Sequence, residues 1–569
     1  MKKPLIEFKD FSFRYKSQTE ATLHDINLTI YQHEKVLLLG PSGSGKSTLA
    51  HCINGLIPHS FEGEVKGSCK IAGVETIDAS IFALSKHVGT VLQDSDAQFV
   101  GLSVGEDIAF ALENQQMNRN DMVKRVFASA SLVGMQDFLS HVPYQLSGGQ
   151  KQKVSMAGVI NEDVSILLFD EPLAALDPAM GKTAIELIDD LYQQLDKTVV
   201  IIEHRLEDVL HRPVDRILLM DEGRLIADMT PEQLLTSNLL IQYGIREPLY
   251  VSALKHAGCE LSIEDSPSSI HLLDLSRHQK KLLDFSSTFI SSQATSSQDI
   301  VLTVEDVSFA YDKELVLKNV SFALRKGERV AVVGKNGAGK STMAKLLCGV
   351  IRPNTGRILV EQEDYLHLTI KQLGERFGYV MQNPNQMIVK EMIFDEIALA
   401  LRLRGYHEEE ILAKVIEVLQ ICGLHAMRNW PISALSYGQK KRVTIASILA
   451  LSPKVLILDE PTAGQDYRHY TEMLSFIEQL QKQLNLTVIF ITHDMHLAIE
   501  YTDRAIVFAD GELIADDQVF KVLSNDDVIV RANLKQTSLY TLATRLKLKP
   551  EEFIEHFIQV ERGKIHESE

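Results

Sequence analysis

Gly40-Pro41-Ser42-Gly43-Ser44-Gly45-Lys46-Ser47-Thr48 and Gly334-Lys335-Asn336-Gly337-Ala338-Gly339-Lys340-Ser341-Thr342 decide the fold. Each follows an apolar run, Lys35 to Leu39 or Arg329 to Val333, and opens a helical pattern. Glycine is needed because the backbone must curl until successive N–H groups point inward at phosphate oxygens. The curl ends at a helix N-terminus, where the dipole favours negative charge. Lys46 and Lys340 would reach the β- and γ-phosphates of a nucleotide such as ATP, and the Ser47 and Ser341 hydroxyls would ligate Mg²⁺. One such loop would establish only triphosphate binding. Two, each between strand and helix, leave little room for a chance match.

The same elements follow both loops in the same order. Gln93 and Gln382 head short turns, and Leu146-Ser147-Gly148-Gly149-Gln150 is echoed by Leu435-Ser436-Tyr437-Gly438-Gln439. Apolar strands then end in Asp170-Glu171-Pro172 and Asp459-Glu460-Pro461, and further apolar strands run into His204 and His493. Asp170 and Asp459 would hold Mg²⁺, mostly through water, while Glu171 and Glu460 stand where a base could polarise an attacking water. A strand with an acidic end is common in α/β proteins, and a lone histidine after a strand is usually structural. Recurrence in step with the phosphate loops changes both readings. The histidines could bond the γ-phosphate, and the glutamines gain meaning in the same way. Tyr15 and Tyr311 each close the first strand of their half; either stacks on adenine or is an ordinary half-buried strand aromatic. Two complete sets imply a tandem machine that hydrolyses a nucleoside triphosphate.

With 569 residues the chain is too long for one core. The repeat divides it into residues 1–243 and 301–525, with a connector at 244–300 and a tail at 526–569. Each half reads as an α/β P-loop core: alternating strands at Ile6 to Tyr15 and Leu302 to Tyr311, then buried central strands. Helical patterns at Asp107 to Leu112 and Val123 to Leu132, matched by Glu396 to Leu401 and Ile411 to Leu419, add a separate helical lobe to each core. The connector loses this pattern and is serine-rich from Ser286 to Ser297, the composition of a mobile linker. Pro550 to Ile558 could form a short amphipathic helix that packs or caps.

Hydrophobic content of 45% with 24% charged residues fits a soluble globular protein, and no run is long enough to span a membrane. The start, Met1-Lys2-Lys3-Pro4, lacks the apolar core of a secretion signal. Five scattered cysteines without a Cys-x-x-Cys pair suggest reduced thiols in a cytosol. A net charge of −18 argues against long-range attraction to nucleic acid.

The Leu146–Gln150 segment, with both phosphate loops, both Asp-Glu pairs and both histidines, makes the chain resemble ATP-binding cassette (ABC) proteins over most of its length; this segment and Leu435–Gln439 match the family's signature, which opens a helix. The resemblance implies ATP hydrolysis by cassettes that pair head to tail within the chain. One site would join residues 40–48, Gln93, Asp170, Glu171 and His204 with Ser436, Gly438 and Gln439. The other would join residues 334–342, Gln382, Asp459, Glu460 and His493 with Ser147, Gly148, Gly149 and Gln150. Asp177 and Asp466 match the family's loop that crosses between sites. Tyr437 departs from the pattern where the first copy has Gly148. If that position requires positive φ, the tyrosine costs ~1–2 kcal/mol and the Lys340 site, which would borrow the intact segment, should be the faster or tighter one.

The turns Gln93 to Gln98 and Gln382 to Gln386 are similar to the glutamine loops of energy-coupling-factor importers, the second more closely. This implies a peripheral ATPase on the cytoplasmic face of the cell membrane. It would bind a transmembrane coupling subunit, while a separate membrane subunit recognises a vitamin, a thiamine precursor or a metal ion such as cobalt. The rival is a tandem cassette acting on ribosomes as a translation factor. Such proteins carry a long charged helical linker, and the connector here is serine-rich and not basic. A DNA-repair ATPase would need a coiled coil or zinc module between phosphate loop and signature, and only the helical lobe fits there.

Overall fold

The computed structural model describes residues 3–93, 98–174, 176–287 and 299–567. The chain divides into two compact units, Met1–Leu282 with Asp466–Arg468, and Leu283–Gln465 with His469–Glu569.

In the first unit a six-stranded sheet carries the chemistry. Its order is Arg224–Met229, Arg216–Asp221, Lys35–Leu39, Thr198–Ile202, Ile166–Asp170 and Val88–Val91, parallel except for the first strand. All five residues of Lys35–Leu39 and of Thr198–Ile202 are buried, which explains the unbroken apolar runs Val36–Leu39 and Val199–Ile202 within them. A four-stranded antiparallel sheet, Leu23–Tyr31, Pro4–Tyr15, Gly63–Ile71 and Val74–Glu75, packs beside it. Its alternating sequence follows from having one buried face; Phe8, Phe11 and Phe13 enter the shared core. The second unit repeats this plan. Its large sheet runs Phe377–Val380, Val455–Asp459, Thr487–Ile491, Arg329–Gly334, Arg504–Ala509 and Glu512–Gln518, and its small one is built on Ile300–Tyr311. Both phosphate-loop strands are therefore central. The acidic strand lies two places away, across the strand that leads to the histidine, and all three open at their carboxyl ends, where α/β sheets bind ligands.

The helical lobes consist of Val104–Asn114, Arg119–Leu132 and Gly148–Ile160 in the first unit, and Ile393–Leu403, Glu408–Ile421 and Tyr437–Leu449 in the second. Local chemistry starts them: Ser103 and Glu106 form a capping box, as do Ser147 with Gln150 and Ser436 with Gln439.

Ahead of its serine-rich end the connector is structured. Leu249–His256 is a helix whose Leu249, Tyr250 and Leu254 are buried, and the Leu249 amide donates to Glu207 Oε2 at 2.9 Å. Asp265, 1% exposed, accepts from Arg277 and from Ser262. These polar ties replace a periodic apolar face, which is why no pattern was visible. Most of the serine-rich stretch, residues 288–298, lies outside the described residues.

The tail forms Asp526–Arg531, Ser538–Arg545 and Pro550–Glu567. Phe553, Ile554 and Phe557 are completely buried, and the last helix packs against Met495–Tyr501, which follows His493. Arg562 closes the end of that shorter helix. It donates to the carbonyls of Ile499 and Glu500, both at 3.1 Å, and of Thr502, and to Asp503 Oδ1 at 3.0 Å. Asp503 also accepts from Arg329, the first residue of the phosphate-loop strand, at 3.1 Å. Arg562→Ala should therefore destabilise the second unit by about 2–3 kcal/mol, since it strands helix-end carbonyls and leaves Asp503 with Arg329 as its remaining cationic partner. Urea unfolding followed by hydrogen exchange should show that loss, with protection in the first unit unchanged and Arg562→Lys giving partial recovery.

Candidate nucleotide sites

Each phosphate loop is held by its own lysine. Lys46 Nζ donates to the carbonyls of Gly40 and Pro41 at 2.8 and 2.7 Å; Lys340 Nζ donates to those of Gly334 and Lys335 at 2.6 and 2.9 Å. Burial pushes the Lys46 ammonium down, and the Glu171 charge opposes that. The helices Lys46–Ile53 and Lys340–Leu347 start from Gly45 and Gly339, left-handed at φ 97° and 102°. A Cβ there would lie 2.9 Å from Leu23 Cδ2 or 2.5 Å from Leu317 Cδ2, so glycine is demanded by both conformation and space.

At the end of the acidic strands both glutamates are left-handed. Glu171 and Glu460 share φ 46°, and their amides donate to Ile202 and Ile491 at 2.9 Å. That conformation costs a non-glycine residue ~1–2 kcal/mol, and the bond to the histidine strand holds it. Burial and the adjacent Glu171 carboxylate push Asp170 up to about 6, against the pull of Lys46. Burial also raises Asp459, partly offset by the Tyr379 hydroxyl, which donates to Asp459 Oδ2 at 2.7 Å. Thr90 occupies the matching strand position in the first unit. Ser341 Oγ lies 3.5 Å from Asp459 Oδ2. This hydroxyl–carboxylate pair suits Mg²⁺, which takes few protein oxygens beside water and phosphate. Among the described residues no group of three His, Cys, Asp or Glu forms an all-protein metal cage.

The two copies wire their glutamates differently. Gln93 Nε2 donates to Glu171 Oε2 at 2.6 Å, with His204 Nδ1 3.9 Å from Oε1. In the second unit His493 takes that place: its Nδ1 is 2.6 Å from Glu460 Oε1 and its amide donates to the same oxygen at 3.1 Å. Gln382 instead offers its main-chain carbonyl to Tyr437 Oη at 3.1 Å. Residues 94–97 of the first glutamine turn lie outside the described residues.

Glu203, fully buried, escaped the sequence reading. Its carboxylate accepts from the amides of Leu173, His204 and Arg205 at 3.0, 3.0 and 3.2 Å, which orders the histidine turn. Thr492, its counterpart, donates to Glu460 Oε2 at 3.3 Å. Lys441, on the Tyr437–Leu449 helix, was also missed. For Glu203 the useful signal was a charged residue directly after the apolar run Val199–Ile202; Lys441 stands in the polar run Gln439-Lys440-Lys441-Arg442, which carries no such signal.

The expected backbone strain at Tyr437 is absent. Gly148 and Tyr437 are the first residues of their helices, capped by Ser147 and Ser436, and neither has positive φ. A helix start accepts any side chain there, so the inferred difference in strain between the sites has no basis in the backbone. Gly149 is tight for another reason, since a Cβ there would meet Met180 Cε at 1.9 Å. Asp177 caps Pro178–Leu195 by accepting from the Met180 amide at 2.9 Å, and Asp466 immediately precedes Tyr467–Leu484. Tyr15 Oη is 3.2 Å from Thr48 Oγ1 of the phosphate loop, with its ring edge-on to Phe13; Tyr311 is 43% exposed and edge-on to Phe309.

Phosphate loop, acidic strand end and histidine turn at the open end of a parallel sheet define a P-loop nucleoside triphosphatase, present here twice. The chain belongs to the ABC transporter ATP-binding proteins. The ABC transporter family profile matches residues 23–174 and 317–463. A second profile, described as ATP-binding cassette cobalt transporter, matches residues 237–309. A relative from Vibrio vulnificus, named as an ABC transporter ATP-binding protein, is 56% identical over 563 residues, covering 98% of each chain. Similarly named proteins from Clostridium perfringens and Enterococcus faecalis are 55% and 53% identical, covering 99% of each chain. A solved structure of cbiO1 from Clostridium perfringens, described as part of the ABC transporter complex cbiONQ, is 33% identical, with a TM-score of 0.38, covering 42% of this chain and 95% of that one. The chain is thus a two-cassette ABC ATPase.

The raised Asp170 has a measurable consequence. Its folded value of about 6 stands above the ordinary 3.8, so the folded state keeps this proton to higher pH than the unfolded chain. Stability then falls as pH rises between about 4 and 6. Asp170→Asn should stabilise the first cassette at pH 7.5 in EDTA by roughly 1–2 kcal/mol, reduced from the full shift because the carboxylate is only half-buried. The gain should vanish near pH 4, as read by urea unfolding across pH.

Proposed function

We propose that this chain is the ATP-hydrolysing subunit of an energy-coupling-factor importer. It would work at the cytoplasmic face of the cell membrane and drive uptake of a vitamin or metal ion through separate transmembrane subunits. The observation that carries this reading is the match of residues 237–309 to the cobalt-transporter profile, and the glutamine turns support it. No described helix is long and apolar enough to cross a membrane; in this reading the path for the cargo lies in other chains. Beyond each glutamine turn the lobe exposes apolar side chains: Val100 at 64% and Leu102 at 82% in the first cassette, Val389 at 68% in the second. Such residues suit a short helix of a coupling subunit.

In each cassette the loop amides of residues 40–48 or 334–342 and Lys46 or Lys340 would bind the β- and γ-phosphates. Ser47 with Asp170, and Ser341 with Asp459, would hold Mg²⁺, which when bound neutralises phosphate charge. Glu171 and Glu460 would accept a proton from the attacking water. His204 and His493 would orient it, Gln93 and Gln382 would relay the partner's position, and Tyr15 and Tyr311 would lie against adenine. The capped helix starts at Ser147, Gly148, Gly149 and Gln150, and at Ser436, Gly438 and Gln439, suit an anion.

Glu171→Gln with Glu460→Gln should abolish ATP turnover while ATP still binds, because phosphate and metal contacts survive. Parental turnover in that double variant would show both glutamates to be miscast.

Expressed alone, the chain should stay in the soluble fraction, and with its coupling subunit it should sediment with membranes. Val100→Asp with Val389→Asp should weaken that association by at least tenfold, at ~1.4 kcal/mol per decade. Co-sedimentation with ribosomes, indifferent to the membrane subunits, would refute the importer reading.

A further inference from the structure

The second cassette contains a side-chain pair that the first lacks. Tyr437 and Lys441 lie one turn apart on the signature helix, where the first cassette has Gly148 and Gln152. Tyr437 Oη donates to the Gln382 carbonyl at 3.1 Å, and Lys440 Nζ approaches Asn385 Oδ1 of the same turn at 3.5 Å. Lys441 is 2% exposed. Its Nζ donates to the carbonyls of Glu460 and Pro461 at 3.2 and 2.6 Å and faces the Tyr437 ring, 5.3 Å from its centroid. An ammonium has three N–H groups, so two carbonyls and one π-face account for all of them. Burial pushes this ammonium down to about 8, against the pull of Glu460, which leaves it charged at neutral pH. In the first cassette Gln152 Nε2 donates to the Pro172 carbonyl, but Gly148 has no side chain to continue toward the glutamine turn.

We propose that Tyr437 and Lys441 form a strut, particular to the second cassette, that links the glutamine turn to the backbone of Glu460 and keeps the carboxylate in register with that turn. Both are positioning residues. One end grips the Gln382 peptide. The other grips the two peptides that set the left-handed turn at Glu460. A displacement of the turn is thereby transmitted to the glutamate through one side chain and one ring contact. The first cassette lacks the outer half; among the described residues its Gln93 meets Glu171 by direct side-chain contact. The inference rests on the proposed role of Glu460 as base, while the contact itself can be tested apart from that role.

The test uses the full chain carrying Glu171→Gln, so that turnover reports on the second cassette. Tyr437→Phe removes the hydroxyl and keeps the ring; Lys441→Gln installs the first cassette's residue. Tyr437→Phe should speed hydrogen exchange in the peptide covering residues 381–390 by about threefold or more, with no change in the peptide containing Gln93. kcat should fall about three- to tenfold for Tyr437→Phe and about tenfold for Lys441→Gln, with the KM for ATP within twofold. The double variant should be no worse than Lys441→Gln alone, because both act along one path. Unchanged exchange in Tyr437→Phe, effects that multiply in the double variant, or a rise in KM matching the fall in kcat would each overturn the strut. If the Glu171→Gln parent shows no turnover, hydrolysis at the second site requires the first, and the exchange result alone decides whether the strut exists.

Discussion

The chemistry of each cassette depends on one backbone bond, from the amide of a left-handed glutamate to the last carbonyl of the neighbouring strand. Glu171 to Ile202 and Glu460 to Ile491 have the same length and the same φ. Without that bond the glutamate would relax toward extended backbone, and its carboxylate would leave the histidine turn. With it, the acidic strand and the histidine strand are joined where both open toward the phosphate loop. The strain is small beside the burial of the strands themselves, since their residues from Ile166 to Phe169 and from Val455 to Leu458 are almost wholly enclosed.

On this shared frame the two copies differ in which group steadies the glutamate. In the first, Gln93 reaches it directly and Glu203, buried beneath, collects the amides of the histidine turn. In the second, His493 closes on it, Thr492 supports it, and Tyr379 ties down the neighbouring Asp459. Each substitution is local, and none disturbs the strand order, which is identical in the two units. Duplicated sheets thus tolerate rewiring of the polar layer because the apolar layer and the backbone ladders hold the strands in register without it. The two ATP sites need not work alike, and the difference lies in hydrogen bonding rather than in the backbone strain first expected at Tyr437.

The parts outside the cassettes are not passive spacers. The connector buries Leu249, Tyr250 and Leu254 and pairs Asp265 with Arg277. It is also the segment that matches the cobalt-transporter profile. The tail helix seals the helix after His493 through Arg562 and shares Asp503 with the first residue of the phosphate-loop strand. A change at the end of the chain can therefore reach the nucleotide site through three side chains.

The sequence by itself determined the two α/β cassettes and located the motifs that hold the candidate site residues, because those features need short stretches of fixed composition. A phosphate loop requires glycines at set spacing, a central strand requires an unbroken apolar run, and a capped helix requires Ser147 and Gln150 three residues apart. Tertiary structure alone decided how these pieces meet. That Gln93 touches Glu171 while Gln382 turns its carbonyl to Tyr437 depends on groups distant in sequence, and no local pattern records it. The same holds for Glu203, Tyr379 and Lys441, whose neighbours lie on other strands and turns. The left-handed glutamates are the plainest instance: Asp-Glu-Pro reads as an acidic strand end, and only the carbonyl of the adjacent strand imposes its conformation. The connector illustrates the converse, since its order comes from polar ties such as Asp265 to Arg277, which leave no periodic mark in the sequence.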